Sequence, residues 1–219
     1  DGTFEYIPLS EKDLRSRETR NFQDLKGRRG VPLSDYLPVR IIKRKVHYDP
    51  DFESFTYVDQ GLKAKYLKKL VKGDYLVFYV GLTPYGDETE FISPETKRDA
   101  LYLIGYFLVE EIIDLKKLDQ LQNKEIRQKY STNSHLKRSE SGKEMVLIVG
   151  DEKRSKLLDT ARPLSSPKLD KRGRFYHAVS PEMERLLGIK GSVQRSIPPR
   201  FIESPRNLEN LMEILTSRE

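Results

Sequence analysis

The chain has 219 residues, room for one generous domain or two small ones, and it carries no cysteine and no tryptophan. Without cysteine there is no disulfide, no thiolate metal site and no cysteine nucleophile. The 40 basic residues outnumber the 34 acidic ones and leave a net charge of +6, a mild pointer to anionic partners such as nucleic acid or nucleotides.

No apolar run is long enough for a membrane-spanning helix; the richest, Ala100 to Val109, falls far short. A composition of 34% charged residues without cysteine or tryptophan fits a cytoplasmic protein, and its Lys and Glu content fits one from a thermophile. Asp1 is not a natural start, so further residues are expected upstream.

The first predicted element is a strand over 3–8, where Phe4, Tyr6 and Pro8 alternate with Thr3, Glu5 and Ile7. The segment from about 9 to 45 reads as an irregular basic arm. It is broken by Gly27, Gly30, Pro32 and Pro38, and it ends in Arg40, Lys43, Arg44 and Lys45.

That arm runs into His47-Tyr48-Asp49-Pro50-Asp51, the most informative stretch of the chain. It places an imidazole and two carboxylates within five residues of a protein that has three histidines in all. Pro50 disfavours the helical region for Asp49, so the segment is expected to be extended, with His47, Asp49 and Asp51 on one face. Those side chains suit acid/base work, with a carboxylate setting the tautomer of the imidazole. They also suit divalent-metal binding by His47 and Asp49, completed by Asp1 or His135, although no tight ligand motif assigns a metal. The bland alternative is a turn in which Asp49 or Asp51 caps backbone N–H groups.

From Gln60 to Lys72 a stripe of Leu62, Tyr66, Leu67, Leu70 and Val71 predicts an amphipathic helix, ended by Gly73-Asp74. Tyr75 to Leu82 follows as an apolar strand. The polar insertion loop at 83–99 is a lid or binding-loop pattern, and its Tyr85 offers a stacking surface for a base. Ala100 to Ile113 is the next strand, with Gly105 as an expected bulge.

Asp114 to Lys129 is expected to be helical, with Leu115, Leu118, Leu121 and Gln122 facing inward. A polar loop then carries Asn133 and His135, residues suited to hydrogen bonding a base edge. Met145 to Val149 is a third buried strand, and Gly150-Asp151 is expected to lead into a short helix through Leu158. A second basic run, Lys168, Lys171, Arg172 and Arg174, precedes Tyr176-His177, with His177 read as structural or as a phosphate contact. Ser180-Pro181-Glu182 and Ser204-Pro205 open two helices, each with a hydroxyl cap and a proline in the first turn.

These elements make an α+β chain, a single domain over 1–219. A curved mixed sheet or partial β-barrel with peripheral helices is expected, because strands and helices do not alternate regularly. No phosphate-binding loop, dinucleotide fingerprint or serine nucleophile elbow occurs, so no cofactor is assigned. Nothing in the pattern speaks to oligomeric state.

Two resemblances add to this reading. The helix, Gly73-Asp74, and the strands on either side of the insertion, including Leu101-Tyr102-Leu103-Ile104-Gly105-Tyr106, resemble the central hairpin of PUA-like barrels. These include EVE and ASCH domains that hold RNA or modified bases. A longer set occurs in order: Asp1-Gly2, Tyr6-Ile7-Pro8, His47 to Asp51, Gly73 to Phe78, the Gly105 strand, Asn133-Ser134-His135 and Pro198. This set resembles the third class of nucleotide-modification-associated domains, a group linked to DNA base hypermodification.

The resemblance implies a nucleotide or DNA base modification protein acting at a basic cleft. His47, Asp49 and Asp51 would be its chemical groups, with Asp1, Gly2, Arg44, Lys45, Tyr85, Asn133, His135, Arg174 and Arg195 around the substrate. The alternative is a PUA-like module that binds RNA or a modified base without catalysis.

Overall fold

In the computed structural model the described residues are 2–82, 100–138, 144–193 and 197–217. Asp1, Tyr85, Arg195 and the insertion loop at 83–99 lie outside them. In chain order they form β1 (Leu9–Ser10), α1 (Val39–Ile42), β2 (Val46–His47), β3 (Thr56–Gln60), α2 (Leu62–Leu67) and β4 (Tyr75–Leu82). Then come β5 (Ala100–Asp114), α3 (Gln120–Lys129), β6 (Met145–Gly150), β7 (Lys156–Pro163), β8 (Ser165–Leu169), β9 (Phe175–Val179), α4 (Pro181–Leu187) and α5 (Pro205–Thr216). The class is α+β, with an antiparallel sheet curled as a partial barrel and helices at its periphery.

The chain forms two compact units, passing from one to the other after Phe4, within β4, within β5 and at the start of β7. The first comprises Glu5–Leu76 and Phe107–Lys156. Its sheet sets β6 between β3 and the second half of β5, with Val58 opposite Leu147 and Ile112 opposite Ile148. Every residue of β6 is buried because the strand serves two cores. Met145, Leu147 and Val149 face one with Val58, Ile113, Tyr130 and Leu136; Val146 and Ile148 face the other with Ala64 and Leu67 of α2. Alternation along a strand sends successive side chains to opposite faces, and two covered faces require an unbroken apolar run.

The arm before β2 is not a solvated extension. Phe22, Leu33 and Val46 are the buried centre of a third core, with Ile7, Leu25, Tyr36, Leu37, Ile41 and Tyr48 packed against it. Two short 3-10 helices, Phe22–Asp24 and Leu33–Tyr36, fold the segment onto itself. Most of its charges face out, Glu11 and Glu18 excepted, while the widely spaced Phe22, Leu33 and Val46 face in, so composition alone concealed the core.

The second unit comprises Asp1–Phe4, Val77–Tyr106 and Leu157–Glu219. Here β8 and β9 form an antiparallel hairpin, Ser165 opposite Val179 and Leu169 opposite Phe175. Asp170 closes its turn by accepting from the backbone N–H of Arg172 and Arg174, and Gly173 takes the positive φ of 73°. Ser180 caps α4 by accepting from Met183 N–H, and Gly188 ends it at φ 68°. Leu211 and Leu215 are the buried positions of α5.

Several expected elements differ. The 3–8 strand reduces to a bridge between Thr3 and Thr160, with the first true ladder at Leu9–Ser10. The 60–72 helix covers only Leu62–Leu67; Leu62 and Val71 are exposed, and Ala64 supplies the contact expected of them. The register shift in β5 falls between Val109 and Glu111, and Gly105 continues the strand. The 114–129 helix is a 3-10 turn at Leu115–Lys117 followed by α3, which starts where Asp119 and Gln122 form a capping box; Leu121 is exposed and Ile126 packs inward.

The helix expected after Gly150 is a turn followed by β7. The Asp151 carboxylate accepts from the N–H groups of Lys153 and Arg154, which closes the turn and frees the chain to extend. The β8–β9 hairpin was hidden because its polar alternation reads as a basic run.

Candidate functional site

The site is built where β2 runs out into Asp49. Leu9 of β1 pairs with His47, and Glu11 N–H donates to Lys45 O at 2.8 Å, which carries the Glu11 side chain beside the His47 ring. Glu11 Oε2 lies 3.1 Å from His47 Nδ1. Arg138 bridges the two, with Nη2 2.7 Å from Glu11 Oε1 and 3.1 Å from His47 Nδ1. The guanidinium has no lone pair to offer and the carboxylate has no proton. Nδ1 cannot serve both partners: protonated, it donates to Glu11 and leaves the Nε2 lone pair free on the far side; unprotonated, it accepts from Arg138 and the proton sits on Nε2.

From the other direction, the loop after α3 is zipped onto the same backbone. Tyr48 N–H donates to Ser134 Oγ at 2.6 Å, and Ser134 N–H donates to Tyr48 O at 3.3 Å. Asn133 donates its amide to Asp49 Oδ1 at 2.7 Å and to Thr56 Oγ1 at 3.2 Å, and its carbonyl accepts from His135 N–H at 3.0 Å. Asp49 Oδ1 also accepts from Val58 N–H at 3.0 Å. Residues 47–49 and 133–135 thus lie against each other as matched tripeptides.

The result is a convergence of three chemical groups. The His47 and His135 rings meet edge to face with centroids 4.7 Å apart, and His135 Nε2 lies 3.6 Å from Asp49 Oδ2. One ligand atom from each of His47, Asp49 and His135 falls within 4.8 Å of the others, so the three can hold a metal ion. His47 is only 7% exposed, but its surroundings are polar.

Electrostatics separates the carboxylates. Burial pushes Glu11 up, but hydrogen bonds from Arg138, the Asp13 backbone and His47 outweigh it and hold the pKa at about 2. Burial also dominates at Asp49, and there it wins. The pKa is raised well above the ordinary carboxylate value despite the Val58 and Asn133 donors. Beside the site, Glu18 is wholly buried and held at about 2: burial opposes ionisation, and hydrogen bonds from Arg20 and Lys137 overcome it.

Other sequence-selected residues stand elsewhere. Asp51 is fully buried and turns into its own loop, where Oδ1 accepts from the N–H groups of Glu53 and Ser54 and Oδ2 accepts from Ser54 Oγ. It acts there as a cap, and the shared face expected for His47, Asp49 and Asp51 is not formed around one centre. Arg44 is exposed, while Lys45 reaches Ser16 O with its ammonium at 3.5 Å. Asn133 is fully buried, with its amide turned inward to Asp49 and Thr56. Gly2 and Arg174 belong to the second unit, where Arg174 pairs with Asp170 at 2.8 Å. His177, also there, has Nδ1 3.5 Å from Ser165 Oγ. Glu11 and Arg138 were missed: each is one more charge in a charged segment, and no spacing ties either to His47.

The family model for nucleotide modification associated domain 3 matches residues 1–187. The chain belongs to this family. The expectation drawn from the order of the motifs therefore holds, and membership links the chain to nucleotide modification. The matched span contains Glu11, His47, Asp49, His135 and Arg138 and reaches the end of α4. Searches of curated proteins and of solved structures returned no match. Among the described residues no helix is long and apolar enough to cross a membrane.

Proposed function

We propose that this member of the nucleotide modification associated domain 3 family modifies a nucleotide or a DNA base at the centre formed by His47, Asp49 and His135. The observation that carries the reading is the meeting of Asp49 and two of the chain's three histidines, delivered by segments far apart in sequence and fixed by Glu11, Asn133 and Arg138. Catalytic groups need this kind of convergence and immobilisation. His47 and Asp49 activate the reacting atom. Arg44, which is exposed just before β2, neutralises phosphate in this reading. Asp51 supports the turn that follows.

The test is nucleoside analysis by mass spectrometry of DNA from cells that express the chain. The outcome expected is a modified nucleoside with the wild type and none with His135→Ala. DNA binding that persists in His135→Ala, with no modified nucleoside from any variant or from the wild type, would instead identify a PUA-like binding module. Binding through phosphate contacts would weaken linearly with the logarithm of salt concentration, and Arg44→Glu would reduce that slope.

A further inference from the structure

The distance between His135 Nε2 and Asp49 Oδ2, 3.6 Å, is too long for a hydrogen bond. It is close to the separation of two ligand atoms on one ion: bonds of about 2.0–2.2 Å at tetrahedral angles put ligand atoms roughly 3.4 Å apart. The His47 ligand atom lies within 4.8 Å of both. Binding one ion requires the imidazoles to turn towards Asp49 Oδ2, since ligand atoms on a tetrahedral ion stand roughly 3.4 Å apart.

What surrounds these atoms is the second feature. A metal-ligating histidine ordinarily donates its other ring N–H to a carboxylate or carbonyl, and a ligating carboxylate is itself hydrogen-bonded through its remaining oxygen. His47 has Glu11 Oε2 at Nδ1, and Glu11 is held by Arg138. Asp49 has Oδ1 fixed by Val58 N–H and the Asn133 amide, which leaves Oδ2 on the side of His135. The Asn133 carbonyl also takes His135 N–H, so a single buried side chain orients the backbone of one candidate ligand and the carboxylate of another. Arg138 touches both rings from behind, Nη1 3.5 Å from His135 Nδ1 and Nη2 3.1 Å from His47 Nδ1, and its two ion-pairing contacts with Glu11 offset its charge.

We propose that His47 Nε2, Asp49 Oδ2 and His135 Nε2 bind one divalent first-row transition-metal ion, with Glu11 and Asn133 as positioning residues. Two imidazoles and one carboxylate form a borderline donor set, which suits zinc or iron and disfavours calcium or magnesium. Three protein ligands leave at least one coordination position for water or a substrate oxygen. In that position a water ionises far more readily than in bulk, or a phosphate or base oxygen is polarised, so the ion accounts for how this centre activates its reacting atom. The site is defined without reference to the substrate, and metal binding and nucleotide modification therefore succeed or fail separately.

The test uses the full chain, stripped with chelator, desalted and titrated with Zn²⁺ by calorimetry. The wild type is expected to bind a single equivalent. Asp49→Asn and His135→Ala should each weaken binding about 100-fold or more, and Glu11→Gln, which leaves all three ligands in place, about 10- to 100-fold. His177→Ala removes the histidine of the other unit and should leave stoichiometry and affinity unchanged. X-ray absorption of the zinc-loaded wild type requires no variant to fold, and it should show a nitrogen/oxygen shell with scattering from two imidazoles. A wild type that takes up no stoichiometric zinc, a metal shell without imidazole, or a His177→Ala loss equal to that of His135→Ala would overturn the site.

Discussion

His47 and His177 each follow a run of lysines and arginines that stays largely exposed, yet the charges around the two imidazoles are arranged in opposite ways. Around His47 the acids of the arm turn inward and capture cations. Glu11 holds Arg138, and Glu18, completely buried, holds Arg20 and Lys137 while accepting from Ser134 Oγ. Around His177 the cations stay at the surface. Arg174 is 70% exposed on its Asp170 partner, and Phe175 is 64% exposed. Burial decides what each charge is worth. An ion pair shielded from water is costly to break, because the survivor is left unpaired, whereas an exposed pair is screened by solvent.

The comparison can be broken by substitution. Glu18→Ala strands Arg20 and Lys137 against the Ser134 loop, so urea unfolding should report a loss of about 3–5 kcal/mol. A loss below 1 kcal/mol would mean that this network is no more than surface charge.

Acid titration tests the same contrast without substitution. Glu11 and Glu18 have folded values of about 2 against an ordinary 4.5. Their contribution is complete above the ordinary value and disappears as pH falls from 4.5 towards 2. Asp49, with a raised folded pKa, works in the opposite sense: its contribution is full at low pH and is lost as pH rises through the folded value. Thermal unfolding should therefore show a fall in Tm between pH 4.5 and 2 that shrinks in Glu11→Gln; an unchanged fall in that variant would remove Glu11 from the account.

Smaller effects sharpen the picture. Asp51→Ala deprives two backbone N–H groups and the Ser54 hydroxyl of their acceptor, and should cost about 1–3 kcal/mol by denaturant melt. Were Asp51 chemical rather than a cap, the variant would keep its stability and lose only product. The smallest change belongs to the hairpin. Arg174→Ala should move stability by less than about 0.5 kcal/mol, as exposed pairs do, and a larger shift would show the hairpin to be more than a surface feature.

Legibility in the sequence followed the range of the interaction. Helices α4 and α5 were readable because serine and proline stand side by side at each start, although only Ser180 forms the side-chain cap and Ser204 makes no such bond. The strand at Met145–Gly150 was readable because a strand covered on both faces must be apolar throughout. The β8–β9 hairpin and β7 were not, since a turn closed by one aspartate and a strand of mixed polarity look like loop or short helix until a partner supplies the ladder. The third core escaped for a related reason: Phe22, Leu33 and Val46 are far apart in a segment rich in charge, glycine and proline, and only folding brings them together.

At the candidate site the division is sharper. The sequence alone determined that an imidazole and two carboxylates would stand within five residues, that an Asn-Ser-His loop would follow a helix, and which family their order resembles. Only tertiary structure decided that Asp49 faces His135 while Asp51 turns away, and that Glu11 and Arg138 fix His47. Covalent spacing constrains neighbours along the backbone. Which buried carboxylate is satisfied by which cation depends on contacts closed across long loops, and no local pattern encodes those.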